Sequence, residues 1–332
     1  MTRPSLFTNQ APSIVLIVGA GQLGSRYLQG LAVCKSKLRI YVVDLNPKAL
    51  SVAQERWANT SHLERDCKVV TFHSSIYECP NQADLAIIAT TANNRYEVVC
   101  SLKKNILIHY WILEKVLTQS SNLLRQLQSQ FTDHSMAWVN TPRRMLDWHN
   151  RIRDNLVNLK PLHLVVNGKA WGLACNSIHF LDMLSWFTGE SLLQISTQKL
   201  EQTWIPAKRP GYFEVMGTLY AEFSRGSTAS ISVEDGQLSE LCYQFALEDS
   251  GFTWLIDEDN GIAVRSDGFA IPGKLPYQSE VTPFLVDEIL TTGECKLPTL
   301  AVSSEIHRVF LDAMLDHWQK SVDQTATRVP IT

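Results

Sequence analysis

The apolar run Ile14-Val15-Leu16-Ile17-Val18 passes directly into Gly19-x-Gly21-x-x-Gly24, and apolar side chains then recur at helical spacing at Leu23, Tyr27, Leu28 and Leu31. Strand, tight turn and helix in immediate succession leave this segment few alternatives. Each glycine has a mechanical reason to be there. Gly19 permits the turn, Gly21 lets the backbone approach a pyrophosphate, and Gly24 lets the helix pack closely on the strand. The free N–H groups at the helix start, at the positive end of its dipole, are suited to phosphate. A second apolar segment, 38–43, ends in Asp44, 20 residues past Gly24, where an acid that binds ribose hydroxyls belongs. Together these predict a dinucleotide site formed by Gly19, Gly21, Gln22, Leu23, Gly24 and Asp44. A carboxylate repels the 2′-phosphate of NADP and binds the free hydroxyls of NAD, so Asp44 favours NAD. Lys48, one helical turn further on, keeps NADP open.

A chain of 332 residues exceeds one ordinary core and suits two domains. With 45% hydrophobic and 19% charged residues and a net charge of −3, it has no electrostatic footprint for nucleic acid or an anionic membrane. The seven cysteines are scattered and never spaced as CxxC, which argues against a disulfide framework and a structural zinc site; no metal is expected. Residues 1–12 lack an apolar core and no stretch approaches the ~20 apolar residues of a bilayer span, so a cytoplasmic location is expected.

Short apolar strands are expected at 14–18, 39–44, 68–72, 85–90 and 105–113, with helices at 22–34, 47–58 and 94–103 between them. Alternation of this kind implies right-handed crossovers and a doubly wound parallel sheet. A further helix is expected across 116–130, and a last strand at 137–139 leaves the first domain at Asn140. A helix at 145–158, a strand at 162–166 and a helix with the stripe Ile178, Leu181, Leu184 and Trp186 follow, the last ending at Gly189. From 191 to 266 apolar and polar residues alternate between turns at Arg225-Gly226, Glu234-Asp235-Gly236 and Asp259-Asn260-Gly261. That pattern predicts antiparallel strands with one face solvated or covered by a partner. Helices return at 282–291 and 300–321. The fold class is therefore α/β: a Rossmann doubly wound parallel sheet over 1–140, then an α+β domain over 141–332 with a large, mostly antiparallel open sheet. The alternation Val215, Leu219, Ala221, Phe223 predicts a sheet face covered by a second subunit, in a homodimer or homotetramer.

In the order of its motifs the chain resembles, over most of its length, the glucose–fructose oxidoreductase / inositol dehydrogenase family, Gfo/Idh/MocA. Four passages carry the likeness. The first is the Gly19–Asp44 fingerprint. The second is Asp84-Leu-Ala-Ile-Ile-Ala-Thr90-Thr91-Ala92-Asn93, similar to the family's strand ending in Thr-Pro-Asn, with Ala92 in place of proline. The third is Glu114-Lys115-Val116 at the end of an apolar strand, similar to Glu-Lys-Pro, again without the proline. The fourth, Cys175-Asn176-Ser177-Ile178-His179-Phe-Leu-Asp182, keeps the family's His and following Asp but has Cys175 where the family has an Asp one helical turn before the His.

The resemblance implies an NAD(P)-dependent oxidoreductase that transfers a hydride between nicotinamide and a hydroxyl or keto carbon of a polyhydroxylated substrate: a sugar, a sugar acid or a nucleotide-linked sugar. It places Thr90, Thr91, Asn93, Glu114 and Lys115 beside the coenzyme, and Lys115 and His179 at the reacting hydroxyl as the proton-transfer groups. Cys175 and Asn176 are expected to line the substrate site, and Asp182 to be structural. Arg143 and Arg144 follow the domain crossover and are expected to meet a substrate carboxylate or phosphate. Trp204, Lys208 and Arg209 lie in a segment that reaches the cleft. Two other readings stay open: a dinucleotide-binding regulator without catalysis, and a redox-neutral enzyme with permanently bound NAD.

Overall fold

The computed structural model describes residues 11–60, 67–131, 136–156, 161–234, 240–247 (backbone only) and 252–332. Residues 1–10, the turn residues Asp235 and Gly236, and the expected helix end at 157–158 lie outside the described residues.

Six strands form a parallel sheet: β1 (Ser13–Val18), β2 (Leu38–Val43), β3 (Lys68–His73), β4 (Gln82–Ile88), β5 (Leu107–Leu113) and β6 (Met136–Val139), in the order β3-β2-β1-β4-β5-β6. Helices α1 (Gln22–Leu31), α2 (Pro47–Ala58), α3 (Arg95–Asn105) and α4 (Ser121–Gln128) connect them. The strand order reverses between β1 and β4, which opens a crevice at their carboxyl ends. The unbroken apolar run of β1 is explained by cover on both faces. Leu16 and Val18 pack with Ala86, Ile88 and Trp111, while Val15 and Ile17 pack with Tyr27, Leu28 and Leu31. Asn46 caps α2, its side chain accepting from Lys48 N at 3.0 Å, with Pro47 as first helical residue.

The helix expected across 116–130 begins only at Ser121. Ser120 caps it, its hydroxyl accepting from Leu123 N at 3.3 Å. Val116 and Leu117 are instead buried in the turn that leaves β5, so their apolar character reports packing under the site and not a helical face. The helix expected at 145–158 is α5 (Asp147–Leu156), preceded by a 3₁₀ turn, Pro142–Met145.

The second sheet comprises β7 (Leu162–Lys169), β8 (Leu192–Pro206), β9 (Phe213–Phe223), β10 (Thr228–Glu234), β11 (Glu240–Leu247), β12 (Thr253–Asp257), β13 (Ile262–Arg265) and β14 (Ala270–Pro272). Its order is β14-β13-β12-β11-β7-β10-β9-β8, antiparallel throughout except for the β7–β10 pair. Helix α6 (Leu173–Thr188) lies on β9 and β10 and ends at Gly189, whose φ of 64° places it in the left-handed region. Val215, Leu219, Ala221 and Phe223 are buried against this helix within the chain. The alternation read as a face for a partner is thus the face that α6 covers. On the other face Tyr220 and Gln194 are exposed and Glu222 accepts from Gln194 Nε2 at 2.7 Å.

Two later helices tie the layers together. α7 (Gln278–Thr292) returns to the first sheet and packs on α1, with Leu285, Val286 and Ile289 joining Tyr27, Leu28 and Leu31. α8 (Leu300–Ser321) packs on α4, α6 and β8. Trp204, expected near the cleft, is buried under α8: its indole N–H donates to His317 Nδ1 at 3.2 Å and its ring meets Trp318 at 5.0 Å between centroids. The last residues thread between the sheets, with Val329 N donating to Gln119 O and Phe213 N donating to Pro330 O. No helix among the described residues is long and apolar enough to cross a membrane.

Candidate functional site

The glycine turn is built as its spacing requires. Gly19 has φ of +96°, and a Cβ on Gly24 would lie 1.8 Å from Gly19 O. A Cβ on Gly21, by contrast, would meet nothing within 4 Å. The space against Gly21 is open, and the first turn of α1 has no side-chain cap, so its amides remain available to a phosphate. Asp44 stands beside this turn, one carboxylate oxygen accepting from Ala20 N at 2.6 Å and the other from Asn46 N at 2.8 Å. Arg56, from α2, reaches the start of α1 and donates to the Ser25 hydroxyl and to both oxygens of Gln22. An open cradle over Gly21, uncapped amides and an anchored acid fit a dinucleotide.

Two loops continue the crevice. Thr90 and Thr91 follow β4; the Thr91 hydroxyl donates to Asn93 Oδ1 at 2.6 Å, which also accepts from Tyr212 OH at 2.8 Å. Ala92, buried, uses the amide hydrogen that a proline would lack: it donates to Thr332 Oγ1 at 2.9 Å. Arg95, fully buried, donates to the carbonyls of Thr90, Val116 and Leu117, joining this loop to the turn after β5. In that turn the Lys115–Val116 peptide bond is cis.

Glu114 and Lys115 leave β5 in different directions. Glu114 is buried and accepts from Tyr27 OH at 2.5 Å and Asn140 Nδ2 at 2.7 Å. Burial pushes its carboxyl up, against those hydrogen bonds and the charges of Lys115 and Arg95. Glu114, expected beside the coenzyme, is engaged by Tyr27 and Asn140 and does not line the cavity. Lys115 crosses to α6, where Nζ donates to Asn176 Oδ1 at 2.9 Å and to Cys175 O at 3.1 Å. Burial holds its ammonium pKa below the usual lysine range, opposed by Cys175, Glu114 and Glu214. The third and fourth motifs, 60 residues apart, thus meet at one amine.

Lys115, Cys175, Asn176 and Gln22 line a cavity of about 620 Å³, with Trp171, Tyr212, Glu214 and Thr332 on its walls and Lys208 and Arg209 from the β8–β9 connection on its rim. Glu214 Oε2 accepts from Ala174 N at 2.7 Å, in the first turn of α6. No motif singled out Glu214 or Tyr212, because both sit in an alternating strand pattern that reads the same over solvent as over a cavity.

His179 lies one turn beyond Cys175. Its Nδ1 is buried without a hydrogen-bond partner among the described residues. Burial, then the charges of Lys115 and Arg143, holds its pKa well below the usual imidazole value, so the ring is neutral near pH 7. It does not line the cavity. Arg143 and Arg144 are turned elsewhere. Arg143 grips buried Glu258 with two bonds of 2.8 and 2.6 Å, and Arg144 grips Asp182 likewise. Asp182 also accepts from Thr141 Oγ1 at 2.9 Å, the structural role expected for it. Their forks are occupied by protein carboxylates and neither lines the cavity, which corrects the expectation of a substrate anion there; the basic groups that line the cavity are Lys115, Lys208 and Arg209.

This architecture is shared with solved structures. UDP-N-acetylglucosamine 3-dehydrogenase GnnA from Acidithiobacillus ferrooxidans matches with a TM-score of 0.70 at 12% identity, covering 95% of this chain and 99% of that one. GenD2 from gentamicin A biosynthesis, in complex with NAD, matches with a TM-score of 0.69 at 13% identity, covering 96% of each chain. The chain has the Gfo/Idh/MocA fold. Biliverdin reductase from Synechocystis, in complex with biliverdin and NADP+, also shares it, with a TM-score of 0.69 at 16% identity over 91% of this chain and 98% of that one. No protein-family model and no curated protein sequence matches.

Proposed function

We propose that this protein is an NAD-dependent oxidoreductase, with NADP a possible second coenzyme, that interconverts a hydroxyl and a keto carbon of a polyhydroxylated substrate. The observation that carries the reading is Lys115, half-buried just past the carboxyl end of β5, on the wall of a cavity that Gln22 of the glycine turn also lines. The neighbours GenD2 and biliverdin reductase, crystallised with NAD and NADP+, support the coenzyme.

A dinucleotide held at its pyrophosphate by the Gly21 turn would supply the hydride acceptor. The residues of this chain do the rest. As a substrate hydroxyl carbon loses its hydride to that acceptor and becomes a carbonyl, the hydroxyl proton would pass to the neutral amine of Lys115. Burial lowers the Lys115 pKa from the usual lysine value, which favours the neutral form. Asn176 holds Nζ in place through its 2.9 Å bond. His179, neutral and set back from the cavity, is the weaker proton acceptor of the two. Lys208 and Arg209 at the rim favour an anionic substrate, a sugar acid or a nucleotide-linked sugar over a neutral sugar. Assembly as a homodimer or homotetramer would use the outer sheet face that carries Tyr220.

The test is a panel of sugars, sugar acids and sugar nucleotides with NAD+, followed by the absorbance of reduced nicotinamide. Turnover that is lost in Lys115→Met supports the reading. Silence across the panel despite tight NAD binding supports the non-catalytic regulator instead, and reduced-coenzyme absorbance in the protein as purified supports the redox-neutral enzyme.

A further inference from the structure

The α6 segment lacks the acid that its motif leads one to expect, yet the cavity does not lack one. Glu214, from β9, reaches the first turn of α6, where Lys115 also bonds. Its Oε2 accepts from Ala174 N at 2.7 Å, while Lys115 donates to the carbonyl of the next residue, Cys175, and to Asn176 Oδ1. The approach of Glu214 depends on Gly172, whose φ is +80° and whose missing Cβ would stand 3.0 Å from Glu214 Oε1. An ammonium at a helix start faces the positive end of the helix dipole, and a carboxylate there is favoured.

We propose that Glu214 is a positioning residue for proton transfer at Lys115, supplying from β9 the negative charge that Cys175 does not provide. The proposal rests on the reading of Lys115 as the proton-transfer group. The other groups that act on Lys115 are Glu114 from the turn after β5, Arg95 from the start of α3 and Cys175 from α6; His179 and His307, both neutral, lie within reach of its charge. Glu114 is held by Tyr27 and Asn140, which leaves Glu214 as the carboxylate that shares the cavity with Lys115. Burial raises the Glu214 carboxyl and lowers the Lys115 ammonium, and each charge opposes the shift of the other. Glu214 therefore keeps Lys115 from losing its proton too readily, so that the amine can both accept and return one.

The experiment uses coenzyme-free protein carrying 13C at lysine Cε, with the Lys115 resonance identified by its loss in Lys115→Met, and follows that resonance through a pH titration. Glu214→Gln keeps a side-chain oxygen for Ala174 N and removes the charge, so the fold and melting temperature hold. The Lys115 titration is expected to move to lower pH by about one unit, the scale of a neighbouring opposite charge, and Glu214→Asp to restore most of it. An unmoved titration in a folded Glu214→Gln protein overturns the proposal. Should Glu214→Gln unfold, Glu214→Asp against Glu214→Ala gives the same comparison. No substrate enters the measurement, so a failure here is separable from a failure of the hydride-transfer reading, which the turnover panel tests.

Discussion

Gly21 and Gly24 stand three residues apart and look equivalent in the motif, but the structure separates them. Gly21 has φ of −63° and ψ of −163°, an extended conformation open to any L residue, and a Cβ there meets no protein atom within 4 Å. Gly21→Val should therefore leave the fold intact. The weaker helix cap costs about 0.5–1 kcal/mol, offset by about 0.4–1 kcal/mol from a stiffer unfolded chain. The net change stays within about 1 kcal/mol, or about 1–2 °C in melting temperature at this size. The new methyl groups instead fill the space assigned to the coenzyme pyrophosphate, and NADH affinity should fall at least about tenfold, equivalent to about 1.4 kcal/mol. Gly24→Ala does the opposite: its Cβ would sit 1.8 Å from Gly19 O, so backbone must move at a cost of about 1–3 kcal/mol. Thermal unfolding of both variants, paired with NADH fluorescence titration, reads the two effects separately. Wild-type NADH affinity in a folded Gly21→Val protein would refute the reasoning.

Three further outcomes are expected. Lys115→Met should lower turnover by about 10²–10⁴-fold while NADH affinity holds, and the wild-type oxidation rate should rise with pH through the lowered Lys115 pKa; equal turnover in the variant sinks the proton-transfer assignment. Asp44→Ala should weaken NAD+ binding about tenfold, the scale of a lost charged hydrogen bond, and raise NADP+ binding relative to it, as calorimetry with both coenzymes would show. In the Arg143–Glu258 pair burial alone would raise the Glu258 carboxyl, but Arg143 and His149 hold it at about 2 against an ordinary 4.5. A depressed carboxyl stabilises the fold above its unfolded pKa, so on the order of 3 kcal/mol should be lost as pH falls from about 4.5 to about 2. Urea midpoints at neutral and acid pH should show a slope that Glu258→Gln flattens.

The first sheet was legible because its strands are covered on both faces and its turn is under steric constraint: Val15 through Val18 and Gly24 have no other reading. The site was only partly so. Lys115 and Asn176 carry no mutual signal across 61 positions of chain, and the resemblance alone placed them together. Glu214 and Tyr212 were hidden because strand alternation does not say which polar face borders a cavity. Arg143 and Arg144 were misplaced since sequence shows a cation and not its partner; the acids that hold them, Glu258 and Asp182, lie 115 and 38 residues away. The Val215–Phe223 alternation marked a buried face correctly, and α6 rather than a second subunit covers it.

Isothermal titration of the purified protein with NAD+ tests the account at its centre, the crevice over Gly21 as the seat of a pyridine dinucleotide. A saturable heat of one coenzyme per chain is expected, and it should disappear in Gly21→Val. No heat with NAD+, NADH, NADP+ or NADPH would contradict it.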